Sequence, residues 1–137
     1  MYKVLIVSHS TLCKGLNEAV TMIMGAELEV DYLGLDEDGV EIFHQRLKEK
    51  INNLKKESDE ILILADLFGG TPFNRSLIES TQNNKIKIIT GVNLPMVIEA
   101  VINKHRNIEE VVAEIIQGSK DSIKEGVILI NNTLEDE

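Results

Sequence analysis

Two hydrophobic patterns alternate along the 137-residue chain. Short continuous apolar runs, such as residues 4–7 and 61–65, are typical of strands that are buried on both faces of a parallel sheet. Between them, apolar residues recur every three or four positions, as they do from Leu12 to Met24, which is typical of a helix with one buried face. The alternation predicts an α/β protein in which helices cover both faces of a mostly parallel sheet.

The pattern predicts the position of each strand. Strands are expected at residues 4–7, 28–33, 61–65, 86–89 and 127–130, with the second near a sheet edge because it alternates apolar residues with Glu29 and Asp31. The fold class is therefore a three-layer α/β/α doubly wound sheet with four parallel strands in the order two, one, three, four. Only Glu125 and Gly126 separate the last helix from the last strand, which leaves the direction and the subunit of that strand open.

Composition narrows the class of protein. A hydrophobic content of 43% in 137 residues predicts one globular domain over residues 1–137. The apolar runs are too short for a membrane helix or a signal peptide, so a cytoplasmic location is expected. A net charge of -9 disfavours nucleic acid and anionic lipid as partners. The single cysteine, Cys13, is expected to be a buried apolar residue.

Two polar side chains follow neighbouring strands of the predicted sheet. Ser8-His9-Ser10 ends the first apolar run, and Asp66 ends the third. In the order two, one, three, four these strands are adjacent and the chain changes direction between them, so His9 and Asp66 should meet there. A carboxylate that accepts a hydrogen bond from one imidazole nitrogen leaves the lone pair of the other nitrogen pointing outward. The alternative is that both residues serve only to form turns.

A glycine-rich segment follows Asp66. Gly69 and Gly70 allow another group to approach the backbone closely. Ser10 or Thr11 is expected to cap the first helix, and Thr71 is expected to cap the helix after Gly70. Second to capping, Ser10 and Thr71 are expected as hydroxyl donors to a phosphoryl group. The helix amino ends after Ser10 and Thr71 each favour an anion by roughly 0.3–1 kcal/mol, and phosphate suits such a site.

Other phosphate and metal chemistries fit the sequence less well. A receiver domain also has an aspartate after its third strand, but it needs an acidic pair after the first strand to hold magnesium, where this chain has Ser8-His9-Ser10. No lysine follows Gly69-Gly70 as in a nucleotide-binding loop, so ATP is not expected as the phosphoryl donor. No metal and no cofactor are expected. His44 and His105 have no evident partner and are predicted to lie on the surface.

Three features together resemble the IIA component of the mannose-type bacterial sugar phosphotransferase system. They are the histidine that ends the first strand, the segment Asp66-Leu67-Phe68-Gly69-Gly70-Thr71-Pro72-Phe73-Asn74, and the segment Gly91-Val92-Asn93-Leu94-Pro95-Met96. The similarity in layout covers nearly the whole chain. It implies a phosphotransferase with a phosphohistidine intermediate: His9 accepts a phosphoryl group from the phosphocarrier protein HPr and passes it to a IIB component, which phosphorylates the sugar during transport.

The resemblance also assigns roles to residues and partners. It implies that Asp66 orients His9, that Thr71 lies at the rim of the site, and that Phe68 presents apolar surface to a partner. It implies contact with the membrane only through IIC and IID components. It further implies a homodimer in which the last strand, residues 127–130, runs antiparallel and is exchanged between subunits.

One departure keeps two alternatives open. Many family members have glycine after the active histidine, whereas this chain has Ser10, and residues 7–10 are closer to the phosphotransfer subunit of dihydroxyacetone kinase. That subunit lacks the segment at residues 66–74, which favours the sugar system. A second alternative is a module that binds a phosphorylated ligand without covalent transfer. Because no Ala/Pro-rich linker follows the last strand, a free-standing IIA protein is expected rather than a IIAB fusion.

Overall fold

The protein is built on a sheet of four parallel strands. A computed structural model describes residues 1–128, and its strands are β1 (Lys3–His9), β2 (Val30–Leu35), β3 (Ile61–Ala65) and β4 (Ile86–Thr90). Their order is β2-β1-β3-β4, and each neighbouring pair is parallel. This is the predicted order. β3 is wholly buried and β1 is buried up to His9, because both faces of these central strands are covered.

The helices cover both faces of the sheet. They are α1 (Leu12–Met24), α2 (Val40–Lys55), α3 (Thr71–Thr81), α4 (Leu94–Ile102) and α5 (Ile108–Asp121). Two separate hydrophobic cores result, one beneath α1, α4 and α5 and the other beneath α2 and α3. The three-layer α/β/α architecture is therefore confirmed. Within residues 1–128, none of the helices combines the length and the apolarity needed to cross a membrane.

The topology creates a switch point between β1 and β3. From β1 the chain moves outward through α1 to β2, then crosses back through α2 to β3 and continues to β4. Loops at the carboxyl ends of β1 and β3 therefore diverge to opposite sides of the sheet. In doubly wound sheets this divergence opens the crevice in which ligands bind.

Element boundaries differ from prediction at several points. β1 covers residues 3–9 rather than 4–7. β2 covers residues 30–35 rather than 28–33, because Val4 pairs with Val30 and the pairing continues to His9 and Leu35. The apolar stripe of the last helix is expected to extend to Ile123, but α5 ends at Asp121 and Ile123 is 79% exposed. Val127 and Ile128 are exposed and form no strand in the described part of the chain, and residues 129–130 of the predicted last strand lie outside it.

Candidate functional site

His9 and Asp66 meet at the switch point, as predicted. His9 is the last residue of β1, and Asp66 directly follows β3. The backbone N–H of His9 donates to Asp66 Oδ2 at 2.9 Å, and His9 Nδ1 lies 2.8 Å from the same oxygen. The Asp66 side chain is only 11% exposed, whereas the His9 side chain is 48% exposed. A buried carboxylate thus holds a ring whose outer edge faces solvent.

The contact with Asp66 determines which imidazole nitrogen is available for chemistry. An ionised carboxylate only accepts hydrogen bonds, so Nδ1 of His9 carries the proton and Nε2 carries the lone pair. Burial raises the pKa of Asp66, but the hydrogen bonds from the backbone and ring of His9 outweigh it and hold that pKa below its ordinary value. The carboxylate therefore stays ionised at neutral pH. Its second oxygen, Oδ1, is buried and has no hydrogen-bond partner among the described residues.

Gly70 lies directly against the His9 ring. A Cβ atom at this position would fall 2.9 Å from His9 Cε1, closer than a side chain can approach without displacing the ring. The loop is held by Asn74, whose backbone N–H donates to Gly70 O at 2.8 Å and whose side-chain amide donates to Gly69 O at 2.9 Å. Gly69 itself has φ +83°, a conformation that favours glycine. Sequence reasoning identified both glycines but missed the holding role of Asn74.

Thr11, one of the two residues predicted to cap α1, occupies the N-cap position without a side-chain hydrogen bond, and Ser10 lies outside the helix. Among the described residues Ser10 is the one non-glycine residue with positive φ, at 52°. Its backbone is fixed by a hydrogen bond from its N–H to Leu35 O at 2.7 Å, and its carbonyl lies where a Cβ on Gly34 would be. The cap comes instead from buried Ser8, whose hydroxyl accepts from the Cys13 N–H at 2.8 Å. The Ser10 hydroxyl makes no hydrogen bond within residues 1–128.

Thr71 does not cap α3 either. The helix begins at Thr71 itself, and Gly70 occupies the cap position without a side-chain hydrogen bond. The predicted cap is wrong by one residue, because the sharp turn at Gly69-Gly70 brings the helix start forward. Like that of Ser10, the Thr71 hydroxyl has no hydrogen-bond partner in the part of the chain described. Of the two residues, Ser10 lines the pocket that holds His9.

The acidic loop between β2 and α2 borders His9. His9 lies in a surface pocket of about 660 Å³. Arg46 clamps the loop between β2 and α2 by donating to Asp38 Oδ2 at 2.7 Å and to Asp36 Oδ2 at 3.2 Å. The other lining residues are Ser10, Leu35, Asp36, Glu37 and Asp38.

Apolar side chains are exposed on the loop between β3 and α3. Phe68 is 76% exposed and Leu67 is 58% exposed, although both belong to the loop that carries Gly70. The Phe68 ring centre lies 4.9 Å from that of Phe73, so the ring is supported from α3 while its outer face remains open. The structure thus places Phe68 at the surface, on the loop that leads to Gly70. Exposed aromatic side chains on a supported loop are typical of protein contacts.

The other two histidines differ in their surroundings. His105 is exposed, as predicted. The prediction that His44 lies on the surface is wrong, because its side chain is only 13% exposed and packs between α2 and α3. Its partners, Arg75 and Glu79, are more than 30 positions away in sequence, so no local pattern could have revealed them.

The class of this protein follows from the fold and this pair: it is an α/β protein in which a largely buried carboxylate orients a half-exposed imidazole at the switch point of the sheet. Comparison with known proteins then gives the family. The family model EIIA-man, described as the PTS system fructose IIA component, matches residues 3–116. The chain belongs to this mannose-type family of IIA components of the phosphotransferase system.

Individual relatives agree with this assignment. The chain is 25% identical over 126 residues to the fructose-specific EIIA component of Bacillus subtilis, covering 90% of this chain and 86% of that protein. It is 26% identical over 117 residues to the sorbose-specific EIIA component of Lacticaseibacillus casei, covering 84% and 83%. The solved mannose/sorbose-specific IIA subunit from Enterococcus faecalis is 27% identical, with a TM-score of 0.81 and coverage of 96% of this chain and 98% of that one. Family membership supports a phosphocarrier role.

Proposed function

We propose that this protein is a phosphocarrier that accepts a phosphoryl group from phospho-HPr on Nε2 of His9 and passes it to a IIB component during sugar uptake. The observation that carries the proposal is the pairing of Asp66 with His9 Nδ1, which leaves the Nε2 lone pair directed to solvent. Such an intermediate makes the protein a phosphotransferase. No cofactor is needed, because the donor supplies the phosphoryl group already activated.

The chemical step exchanges one P–N bond for another. The Nε2 lone pair of His9 attacks phosphorus in line with the donor nitrogen, the donor P–N bond breaks, and its electron pair returns to the donor imidazole. The proton on His9 Nδ1 stays on the ring, where the Asp66 carboxylate stabilises the positive charge that develops. Transfer to IIB is the same step with His9 as the leaving group. Positioning and charge stabilisation therefore account for most of the protein's contribution.

The rim supplies groups for the phosphoryl oxygens. In the proposal, Ser10 and Thr71 donate their hydroxyls, and the amino ends of α1 and α3 contribute backbone N–H groups and the positive ends of their dipoles. Gly69 and Gly70 let that backbone come close to the ring. The absence of competing hydrogen bonds to either hydroxyl within residues 1–128 supports this role.

Charge favours a protein donor over a free small anion. Three acidic residues, Asp36, Glu37 and Asp38, line the His9 pocket. Arg46 forms ion pairs with the two aspartates. A free phosphorylated metabolite would be repelled by this rim, whereas a carrier protein with basic residues around its phosphohistidine would be attracted. Phe68, which is exposed on the loop that carries Gly70, gives such a partner an apolar contact. HPr and IIB are proposed to dock here in turn.

The outer edge of β4 suits a second copy of the chain. An apolar groove of about 540 Å³ follows the outer edge of β4, which pairs with no strand in the described region. We propose that residues 127–130 of a second copy fill this edge as an exchanged antiparallel strand, forming a cytoplasmic homodimer. The dimer meets the membrane only through IIC and IID components.

Deleting the chain from Val127 tests this assembly. The deletion should convert dimer to monomer in sedimentation equilibrium, and an unchanged dimer would contradict strand exchange.

Phosphorylation in a reconstituted system tests the central step. The full-length protein is incubated with phosphoenolpyruvate, enzyme I and HPr, and a His9→Ala variant is the control. We expect one acid-labile phosphoryl group on the wild-type protein and none on the variant, which retains His44 and His105. A wild-type protein that remains unmodified while HPr is phosphorylated would contradict the proposal and favour a non-covalent phosphate-binding module.

A further inference from the structure

A second histidine cluster joins α2 to α3. His44 Nε2 lies 3.1 Å from Glu79 Oε2, and Arg75 Nη1 lies 3.0 Å from His44 Nδ1. Arg75 Nη2 also donates to Glu41 Oε1 at 3.2 Å. The side chains of His44 and Glu79 are each 13% exposed. The two hydrogen bonds of His44 therefore link the helices in a partly buried setting, whereas Glu41 at the outer end of the cluster is exposed.

The chemistry of arginine fixes the protonation of His44. A guanidinium group has donors and no acceptor, so the 3.0 Å contact requires Nδ1 of His44 to accept. The proton of the neutral ring then lies on Nε2, where it is donated to Glu79. A protonated ring would direct an N–H at the Arg75 N–H and lose that hydrogen bond. The geometry thus needs a neutral imidazole with its proton on Nε2, although a carboxylate lies beside it.

The cluster is connected to the phosphoryl-accepting site through α3. Arg75 follows Asn74, whose backbone and side chain hold Gly70 and Gly69 by hydrogen bonds of 2.8 and 2.9 Å. Gly70 in turn lies against the His9 ring, with no room for even a Cβ atom. A shift of the first turn of α3 along α2 would therefore move the surface on which the His9 ring rests.

We propose that His44 is a positioning residue for phosphoryl transfer at His9. By accepting a hydrogen bond from Arg75, its neutral imidazole fixes the amino end of α3 against α2 and so holds Gly70 beneath the His9 ring. The inference rests on the proposed function for its kinetic consequence only. Its structural consequence, the orientation of the His9 ring, is measurable in the unphosphorylated protein.

Two amide substitutions of His44 each keep one of its two hydrogen bonds and remove the other. In His44→Asn, the side-chain oxygen lies near the position of Nδ1 and can still accept from Arg75. In His44→Gln, the amide lies near the position of Nε2 and can still donate to Glu79. Arg75→Met removes the guanidinium donor, and Glu79→Gln keeps an acceptor for Nε2 as the matched control. All four variants are compared at a temperature where circular dichroism shows them folded.

Two readouts test the proposal: the initial rate of transfer from phospho-HPr, and the ¹⁵N resonances of the histidine rings. We expect His44→Gln and Arg75→Met to slow transfer roughly tenfold and to shift the His9 ring resonances, with His44→Asn and Glu79→Gln close to wild type. In the wild-type protein, His44 should carry its proton on Nε2.

Three results would overturn the proposal. They are a wild-type rate with unchanged His9 resonances in His44→Gln and Arg75→Met, equal losses in His44→Asn and His44→Gln, and a wild-type His44 that is charged or protonated on Nδ1. A wild-type protein that accepts no phosphoryl group would contradict the proposed function instead. In that case, the His9 resonances of the variants still decide whether His44 positions the ring.

Discussion

A histidine pairs with a carboxylate both at His9 and at His44, but the two pairs have different roles. Each histidine has a carboxylate partner, Asp66 for His9 and Glu79 for His44. At His9 that carboxylate engages Nδ1 and leaves Nε2 open in a solvent-facing pocket. At His44 both nitrogens are engaged and the ring is buried between helices. Reactivity follows from the free nitrogen, because an imidazole with both nitrogens in hydrogen bonds has no lone pair for an incoming group.

Substitution of the two carboxylates should give the largest difference between the two histidine sites. Asp66→Asn should slow phosphoryl transfer by about tenfold to hundredfold, because it removes the negative charge that faces the imidazolium in the transition state. A hydrogen bond between charged groups is worth about 1.5–3 kcal/mol there. The matched change Glu79→Gln should leave the rate close to wild type. Initial rates with phospho-HPr, together with thermal melts to verify folding, provide the check. Equal effects of the two substitutions would contradict the distinction between the sites.

The second test concerns the surface beneath the His9 ring. Gly70→Ala should slow transfer several-fold, because the added Cβ would lie 2.9 Å from His9 Cε1 and the ring must swing away. Gly15→Ala in α1 is the control, since a Cβ there meets nothing within 4 Å. That control should leave transfer unchanged and raise the free energy of unfolding by about 0.5–1 kcal/mol. A Gly70→Ala protein with the wild-type rate would show that the ring does not depend on this contact.

The third test uses pH to separate the Asp66 interaction from the rest of the fold. The pKa of Asp66 is lower in the folded protein than its ordinary value of 3.8, so the folded state favours the ionised form. The stability that Asp66 contributes is therefore present above about pH 4 and is lost as the pH falls through the lower folded pKa. The difference in unfolding free energy between wild type and Asp66→Asn should shrink in urea titrations from about pH 6 to about pH 2. If this difference in unfolding free energy grew as the pH falls, it would contradict the predicted link between the pKa of Asp66 and stability.

The smallest expected effect is at Ser10. Its φ of 52° is strained for a residue with a Cβ, so Ser10→Gly should raise the free energy of unfolding by about 0.5–1 kcal/mol after the entropy of glycine is subtracted. Ser10→Ala keeps the strain and removes only the hydroxyl, so it isolates the proposed contact with the phosphoryl group. Chemical denaturation measures the first effect and the transfer rate the second. A destabilised Ser10→Gly protein would indicate that the serine conformation is not strained.

The strands, the helices and their order could be predicted from the sequence, because they follow from the spacing of apolar residues. Continuous apolar runs identified β1 and β3, and the topology of doubly wound sheets then brought His9 and Asp66 together. Contacts between distant side chains could not be predicted this way. The cap from Ser8 depends on how the turn after β1 folds back on α1, and the partners of His44 depend on how α2 lies across α3. Hydrophobic patterns carry no information about either arrangement.

The central claim is that Asp66 selects the nitrogen of His9 that accepts the phosphoryl group. Combined ³¹P and ¹⁵N NMR of the phosphorylated full-length protein identifies the P–N bond directly. We expect a single phosphoryl group on Nε2 of His9, with the proton retained on Nδ1. A phosphoryl group on Nδ1 of His9, or on His44 or His105, would contradict the claim.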